Sequence, residues 1–541
     1  MNTHEQEILD YLEKNREKIT ETCAELVRKQ SVNPNYPGID GDEVLGGETD
    51  CNERLAELFE SIGCEIDLWE AAPRRHNLVG TLKGQGGGQS LALNGHVDTV
   101  PVTQPERWRY NSPLSGAIEE GRIWGRGTCD MKGGLTAQFW AAKAIVDCGI
   151  KLEGDLLLQS VLGEETMDHE IGTTNVVHRG HRADAGIVTE PTAPPGSLNV
   201  VPITPGLLWM ALTVRGKTSH SSMRCELVRA GGLGAEVGVN AIEKGVILLQ
   251  ALQRLEEQWG QSKAHPLFKP GHFTIHPGVI TGGPEGILVP FLFSEFCTIE
   301  YAIWYPPQES VERVQNEIKD YVLAASQLDP WLKSNPPSFD WKLHWPPAQT
   351  DVDHPVVETM LAADSAVRQH PGHVGSSEGR IHGFCAVCDA SWLNAQGIPS
   401  VIYGPGSVFV AHSVDEHVDV EELIQATKGL AVAAMRSVRY GVVTIIPIGL
   451  VVAWLYAFMY VFGFGLNFVT ATISAVSIGV GIDYAIHMTQ RFREEMDRVG
   501  DRVQALGRAA QGTGAALLAS AATSVLGFTI MAFAPMPMFS S

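Results

Sequence analysis

The spacing of apolar positions divides the chain into stretches of different character. Residues 5–30 place Ile8, Leu9, Leu12, Ile19 and Leu26 on one face and predict a helix, and 51–62 predict another. Two apolar runs, NLVGTL (77–82) and SLALNGHV (90–97), flank KGQGGGQ, which reads as strand, glycine-rich turn, strand. A helix is expected over 133–147, opening after two glycines. Strands are expected over 155–165 and 183–190, each ending in acidic residues. Apolar runs alternating with helices predict an α/β sheet covered by helices. Acidic and histidine residues gathered at strand ends mark a site at the edge of such a sheet.

From about Pro205 the pattern changes to strand (207–216), amphipathic helix (240–259), two strands within 273–307, and a helix beginning near Glu309. That predicts a small α/β unit inserted into the larger one. After about Leu328 the helix HPVVETMLAADSAVRQ, the strand and turn IPSVIYGPG and the helix VEELIQATKGLAVAAMRSV predict a return to the first domain.

Beyond residue 440 three long apolar runs follow, 442–462, 467–488 and 514–535. Each has the length of a membrane span, about 20 residues. The predicted organisation is therefore 1–204 and 328–439 as one domain, 205–327 inserted in it, and 440–541 as a membrane tail.

Charge sharpens that break. The chain of 541 residues has a formal net charge of −22. Residues 440–541 hold five Arg, no Lys and five acidic residues, so the whole excess sits before them. An acidic soluble part offers no basic face to phosphates, which excludes a nucleic-acid binder. Arg436 and Arg439 precede the first apolar run and the tail's five arginines lie between the second and third, so the positive-inside rule puts the soluble part in the cytoplasm. The polar N-terminus lacks a signal peptide's apolar core. The nine cysteines then read as reduced, mostly buried thiols, Cys385-x-x-Cys388 included.

Five segments carry candidate chemistry: LALNGHVDTVP (His96, Asp98), WGRGTCDMKGG (Asp130), LGEET (Glu164, Glu165), VTEPT (Glu190) and VAHSVDE (His412). Each alone is weak, because a histidine at a strand end is ordinarily a hydrogen-bonded structural residue. Together they form a set of imidazole and carboxylate ligands of the kind zinc takes. His-x-Asp sets a carboxylate near an imidazole, where it can orient the ring. Adjacent glutamates let one bind metal while the other faces a water as general base.

In the order and spacing of these motifs, residues 1–439 resemble the M20 family of metallopeptidases and amidohydrolases, in the branch of acetylornithine deacetylase and succinyl-diaminopimelate desuccinylase. The resemblance implies a zinc-exopeptidase-like catalytic domain, a mixed sheet flanked by helices, with an inserted α+β lid and dimerisation domain. It implies hydrolysis of the amide bond of an N-acyl amino acid, with dipeptidase or carboxypeptidase action as the alternative. It also implies two zinc ions per chain, with cobalt able to substitute. Asp130 would bridge them, His96 and Glu190 would complete one site, and Glu165 and His412 the other. Asp98 would orient His96, and Glu164 would be the general base. His220, in GKTSHSS, matches a lid histidine that serves the neighbouring subunit's site in a homodimer, as an oxyanion donor. Gly404 and Gly406 match a loop beside the substrate.

The chain departs from that pattern in one respect. The lid stretch CTIEYAIWYPP lacks the arginine that clamps a substrate carboxylate in related enzymes, and EGILVP lacks an asparagine. A bidentate clamp is not replaced by Tyr301 or Glu300 without a change of selectivity. The tail, notably IGVGIDYAIHMTQRFREE, resembles a fragment of an RND-superfamily transporter, with Asp483 at the place of a proton-relay residue. Three spans are too few for transport by this chain alone.

Overall fold

A computed structural model describes residues 3–436 apart from 111, 195, 288 and 371–379; beyond 436 it describes 504, 507 and 508. The chain divides into two compact units, Met1–Val438 and Arg439–Ser541. The three expected spans lie outside the described residues. Among the described residues no helix is long and apolar enough to cross a membrane.

The first unit is built on an eight-stranded sheet. Its order is Glu65–Ala72, Arg75–Leu82, Leu156–Val161, Leu91–His96, Ala185–Val188, Ser400–Ile402, Val200–Ile203, Ile381–Gly383. The sheet is mixed. Leu91–His96 runs parallel to both Leu156–Val161 and Ala185–Val188, whereas Arg75–Leu82 is antiparallel to Leu156–Val161. The central parallel strands are buried along their whole length, as strands covered on both faces are. Helix Gly133–Asp147 lies almost wholly in the core. Its first turn approaches so closely that a Cβ on Gly134 would lie 2.2 Å from the Thr189 carbonyl oxygen.

Two differences from the sequence expectation concern boundaries. The stretch 5–30 is two helices, Thr3–Lys14 and Arg16–Arg28, broken at Asn15, whose side chain bonds the Tyr11 carbonyl. The inserted sheet extends past residue 327, because Ser338–Trp345 pairs antiparallel with Gly206–Arg215. That sheet has the order Ile275–Gly283, Phe296–Tyr305, Gly206–Arg215, Ser338–Trp345. Helices Ala241–Ser262 and Val311–Ser326 cover it, around a core that includes Met210, Leu252, Trp259, Ile299 and Ile318.

Candidate metal centre

Three adjacent parallel strands deliver the site at their carboxyl ends. His96 ends its strand opposite Val161. Glu164 and Glu165 follow Val161 by a short turn. Glu190 follows Val188, which ends the strand on the other side of Leu91–His96. Asp130 enters from the short, kinked helical turn Thr128–Lys132 before helix Gly133–Asp147, and His412 from the loop after Ser400–Ile402.

The Asp130 carboxylate stands between two imidazoles. Its Oδ1 lies 3.0 Å from His96 Nε2, and its Oδ2 lies 3.2 Å from His412 Nε2. His96 Nε2 is also 3.3 Å from Glu190 and 3.9 Å from Glu164. His412 Nε2 is 3.1 Å from Glu165. The expected bridge and its two flanking sets are thus gathered at one point. His412 holds its position in the left-handed backbone region, φ 60°, where a non-glycine residue is strained.

The electrostatics show what this donor set suits. Burial pushes the Glu165 and Glu190 carboxyls up to about 7, and the Asp130 charge adds to it in both. Burial likewise pushes Glu164 well above the carboxylate range, against the pull of His96. His412 rises to about 11, because its hydrogen bonds to Asp130 and Glu165 outweigh burial. The same imidazoles hold Asp130 well below its ordinary value despite burial. The Oε1 of Glu165 is buried with no hydrogen-bond partner. Four carboxylates around two imidazoles, one with an orphaned oxygen, form a cradle that fits divalent cations.

Asp98 meets His96 differently from the expectation. His96 Nδ1 lies 2.8 Å from the Asp98 backbone carbonyl and 3.7 Å from its carboxylate. The carboxylate instead accepts from the Glu165 amide at 3.1 Å and from Asn33 Nδ2 at 2.7 Å. It therefore ties the glutamate turn to the histidine strand. Gly404 packs on the backbone of Thr189, where a Cβ would come within 2.1 Å of the carbonyl oxygen. A Cβ on Gly406 (φ 108°) would strike Cys129 Sγ at 2.6 Å. Both glycines bring the turn against the backbones that carry Glu190 and Asp130. His220 is exposed on the inserted domain with Nδ1 2.7 Å from Ser222 Oγ, and within one chain it is not brought to the cluster among the described residues.

Sequence reading did not single out three supports of the site. Glu416 Oε1 accepts the amides of Cys129 and Asp130, and its other oxygen pairs with Arg126 at 2.5 Å. Asn33 holds Asp98. Asp389, 2 % exposed, lies within electrostatic reach of His96, Glu164 and Glu190. For Glu416 a signal exists, since it stands four residues after His412 in the motif already noted. Asn33 and Asp389 carry none.

Comparison with known proteins agrees with this architecture. Residues 429–541 match the MMPL family. The chain is 33% identical over 437 residues to N-formyl-4-amino-5-aminomethyl-2-methylpyrimidine deformylase of Halalkalibacterium halodurans, covering 79% of this chain and 95% of that protein. It is 28% identical over 372 residues to acetylornithine deacetylase of Vibrio cholerae, covering 68% and 86%. Human carnosine dipeptidase 1 shares the fold, with a TM-score of 0.62, 14% identity, and coverage of 81% of this chain and 99% of that one. Residues 92–436 match peptidase family M20/M25/M40. The chain belongs to that family and is a metal-dependent hydrolase of amide bonds.

Proposed function

We propose that the chain removes a small acyl group, formyl foremost, from the nitrogen of a primary amine. The observation that carries this reading is the lid strand Phe296–Tyr305, which has no arginine to clamp a substrate carboxylate. The 33% identity to a formylpyrimidine deformylase, over nearly that protein's full length, supports it. A second reading is deacylation of an N-acyl amino acid of the acetylornithine or succinyl-diaminopimelate type, which the 28% identity to acetylornithine deacetylase supports.

His96, Asp130 and Glu190 would hold one cation, and His412, Asp130 and Glu165 a second, with zinc the metal that best suits these nitrogen and oxygen donors. When bound, two such cations supply Lewis-acid polarisation of a carbonyl and acidify a water. The residues then do the following. Glu164 takes a proton from the attacking water and returns it to the leaving amine nitrogen, so that water and amide become acid and amine. Asp98 keeps the Glu165 turn in register with His96. His220 donates a hydrogen bond to the developing oxyanion from the neighbouring subunit.

That role requires a homodimer through the inserted domain. Exposed Ile242 and Val246 on its long helix, and Val279 and Ile280 on its edge strand, support one. We place the hydrolase in the cytoplasm on the arginine distribution, with the tail as its membrane attachment.

The reading is tested by metal analysis and a substrate panel. Purified protein should hold close to two zinc ions per chain, lose hydrolysis on chelation and regain it with zinc or cobalt. Metal content near zero after gentle reconstitution would overturn it. The panel sets N-formylated aminopyrimidines against N-acetyl and N-succinyl amino acids. Residues 1–438 form a compact unit that contains every proposed ligand. Expressed alone, they should keep the kcat/KM of the full chain within about twofold, by analogy with surface changes away from a site. Loss of activity would place an essential element in 439–541.

A further inference from the structure

Two buried polar atoms beside the metal centre have no partner. The Asp389 carboxyl takes a hydrogen bond from Thr173 but leaves Oδ2 without a partner, and Trp392 Nε1 is a donor without one, on side chains 2 % and 9 % exposed. They stand three residues apart, at the start of helix Ala390–Ala395, a spacing that sets side chains on one face. Buried polar groups ordinarily find partners, and an orphaned acceptor next to an orphaned donor is the imprint of a ligand that brings both. The neighbouring Trp345 shows the contrast, since its indole N–H bonds the Cys388 carbonyl.

The surroundings restrict the ligand. Trp392 stacks on His169, with ring centroids 3.4 Å apart and planes at 13°, and packs at 5.2 Å against Trp345. Met167 and Trp304, both partly buried, border this aromatic cluster. Met167 lies two residues beyond Glu165 and Asp389 lies near Glu164, so the cluster adjoins the place where the leaving amine must sit. Flat aromatic faces and a thioether favour a ring. A carboxylate on the leaving amine brings no donor to the unpartnered Asp389 oxygen, which disfavours amino acids in this position.

We propose that Asp389 and Trp392 are specificity-determining residues that recognise the leaving amine as a flat nitrogen heterocycle bearing an amino group. The amino group donates to Asp389 and a ring nitrogen accepts from Trp392. This rests on the deformylase reading and deepens it.

The test uses the full chain and its Asp389→Asn and Trp392→Phe variants. The substrates are N-formyl-4-amino-5-aminomethyl-2-methylpyrimidine and N-formylbenzylamine, which has the ring but neither polar group. The wild type should prefer the pyrimidine. In each variant the kcat/KM ratio, pyrimidine over benzylamine, should fall by about tenfold or more, as loss of a buried hydrogen bond dictates, mainly through KM. Trp392→Phe keeps the ring stack, and a thermal melt on both variants verifies folding. A ratio within twofold of wild type in the folded variants overturns the assignment while leaving the deformylase reading intact. A wild type that cleaves N-acyl amino acids and no formamide overturns both.

Discussion

Replacing Glu164 by glutamine should lower kcat by about 10²–10⁴-fold, the contribution of a positioned general base, while the metal content stays near two ions per chain. The geometry separates Glu164 from its neighbours. It stands 3.9 Å from His96 Nε2, outside Asp130 at 3.0 Å and Glu190 at 3.3 Å. It remains close enough to serve as a third donor with His96 and Glu190, so distance alone allows a ligand role. The glutamine variant distinguishes the two. Glutamine keeps the volume and one carbonyl oxygen but cannot carry the transferred proton. A base lost in this way leaves metal affinity intact, whereas a ligand lost in this way takes an ion with it. Glu165→Gln should show the second pattern, since Glu165 contacts His412 at 3.1 Å. Inductively coupled plasma analysis beside steady-state kinetics checks both. A Glu164→Gln protein with near wild-type kcat, or one short of a metal ion, would remove Glu164 from the base role.

The five proposed ligands and Glu164 were legible because each sits at the end of an apolar run or in a glycine-rich turn, where strand ends project side chains into a cleft. Their convergence needed only that the runs be parallel neighbours, which the alternation of strands with helices implied. The inserted sheet's fourth strand was less accessible, although Phe339, Trp341, Leu343 and Trp345 alternate with polar residues in a clear period of two. It lies after a helix and a proline pair that look like a domain boundary, and only pairing with Gly206–Arg215 assigns it to the insert. The break at Asn15 has no glycine or proline to announce it. Asn33, Asp389 and Trp392 lie 63 to 296 residues from His96 in sequence, and no local pattern links them to the site; their roles arise from tertiary packing alone. The close packing of Gly404 and Gly406 on Thr189 and Cys129 was equally hidden, because close approach is a property of two segments that no single motif displays.

The largest stability effect should come from the pair beneath Asp130. Arg126 and Glu416 are 1 % and 0 % exposed and meet at 2.5 Å, with the guanidinium 5.3 Å from the Trp108 ring. Burial raises the Glu416 carboxyl while Arg126 opposes the shift. Arg126→Met therefore leaves a buried acid with no compensating cation, at a cost of about 3–5 kcal/mol, the usual penalty for breaking such a pair from one side. The damage should reach catalysis, because Glu416 Oε1 accepts the amides of both Cys129 and Asp130 at 3.0 and 3.1 Å. A carboxyl that shifts or takes up a proton releases the turn that carries Asp130. The double variant Arg126→Met/Glu416→Gln should recover a substantial part of the lost stability. It removes the uncompensated charge and keeps an amide oxygen for the two N–H donors. Urea denaturation of residues 1–438, with hydrolysis measured on the same preparations, reads both effects. If Arg126→Met changes stability by less than about 0.5 kcal/mol, within the range of ordinary surface substitutions, the pair does not hold the Asp130 turn. If the double variant is as unstable as the single one, the loss comes from Arg126 packing against Trp108 and not from the stranded charge.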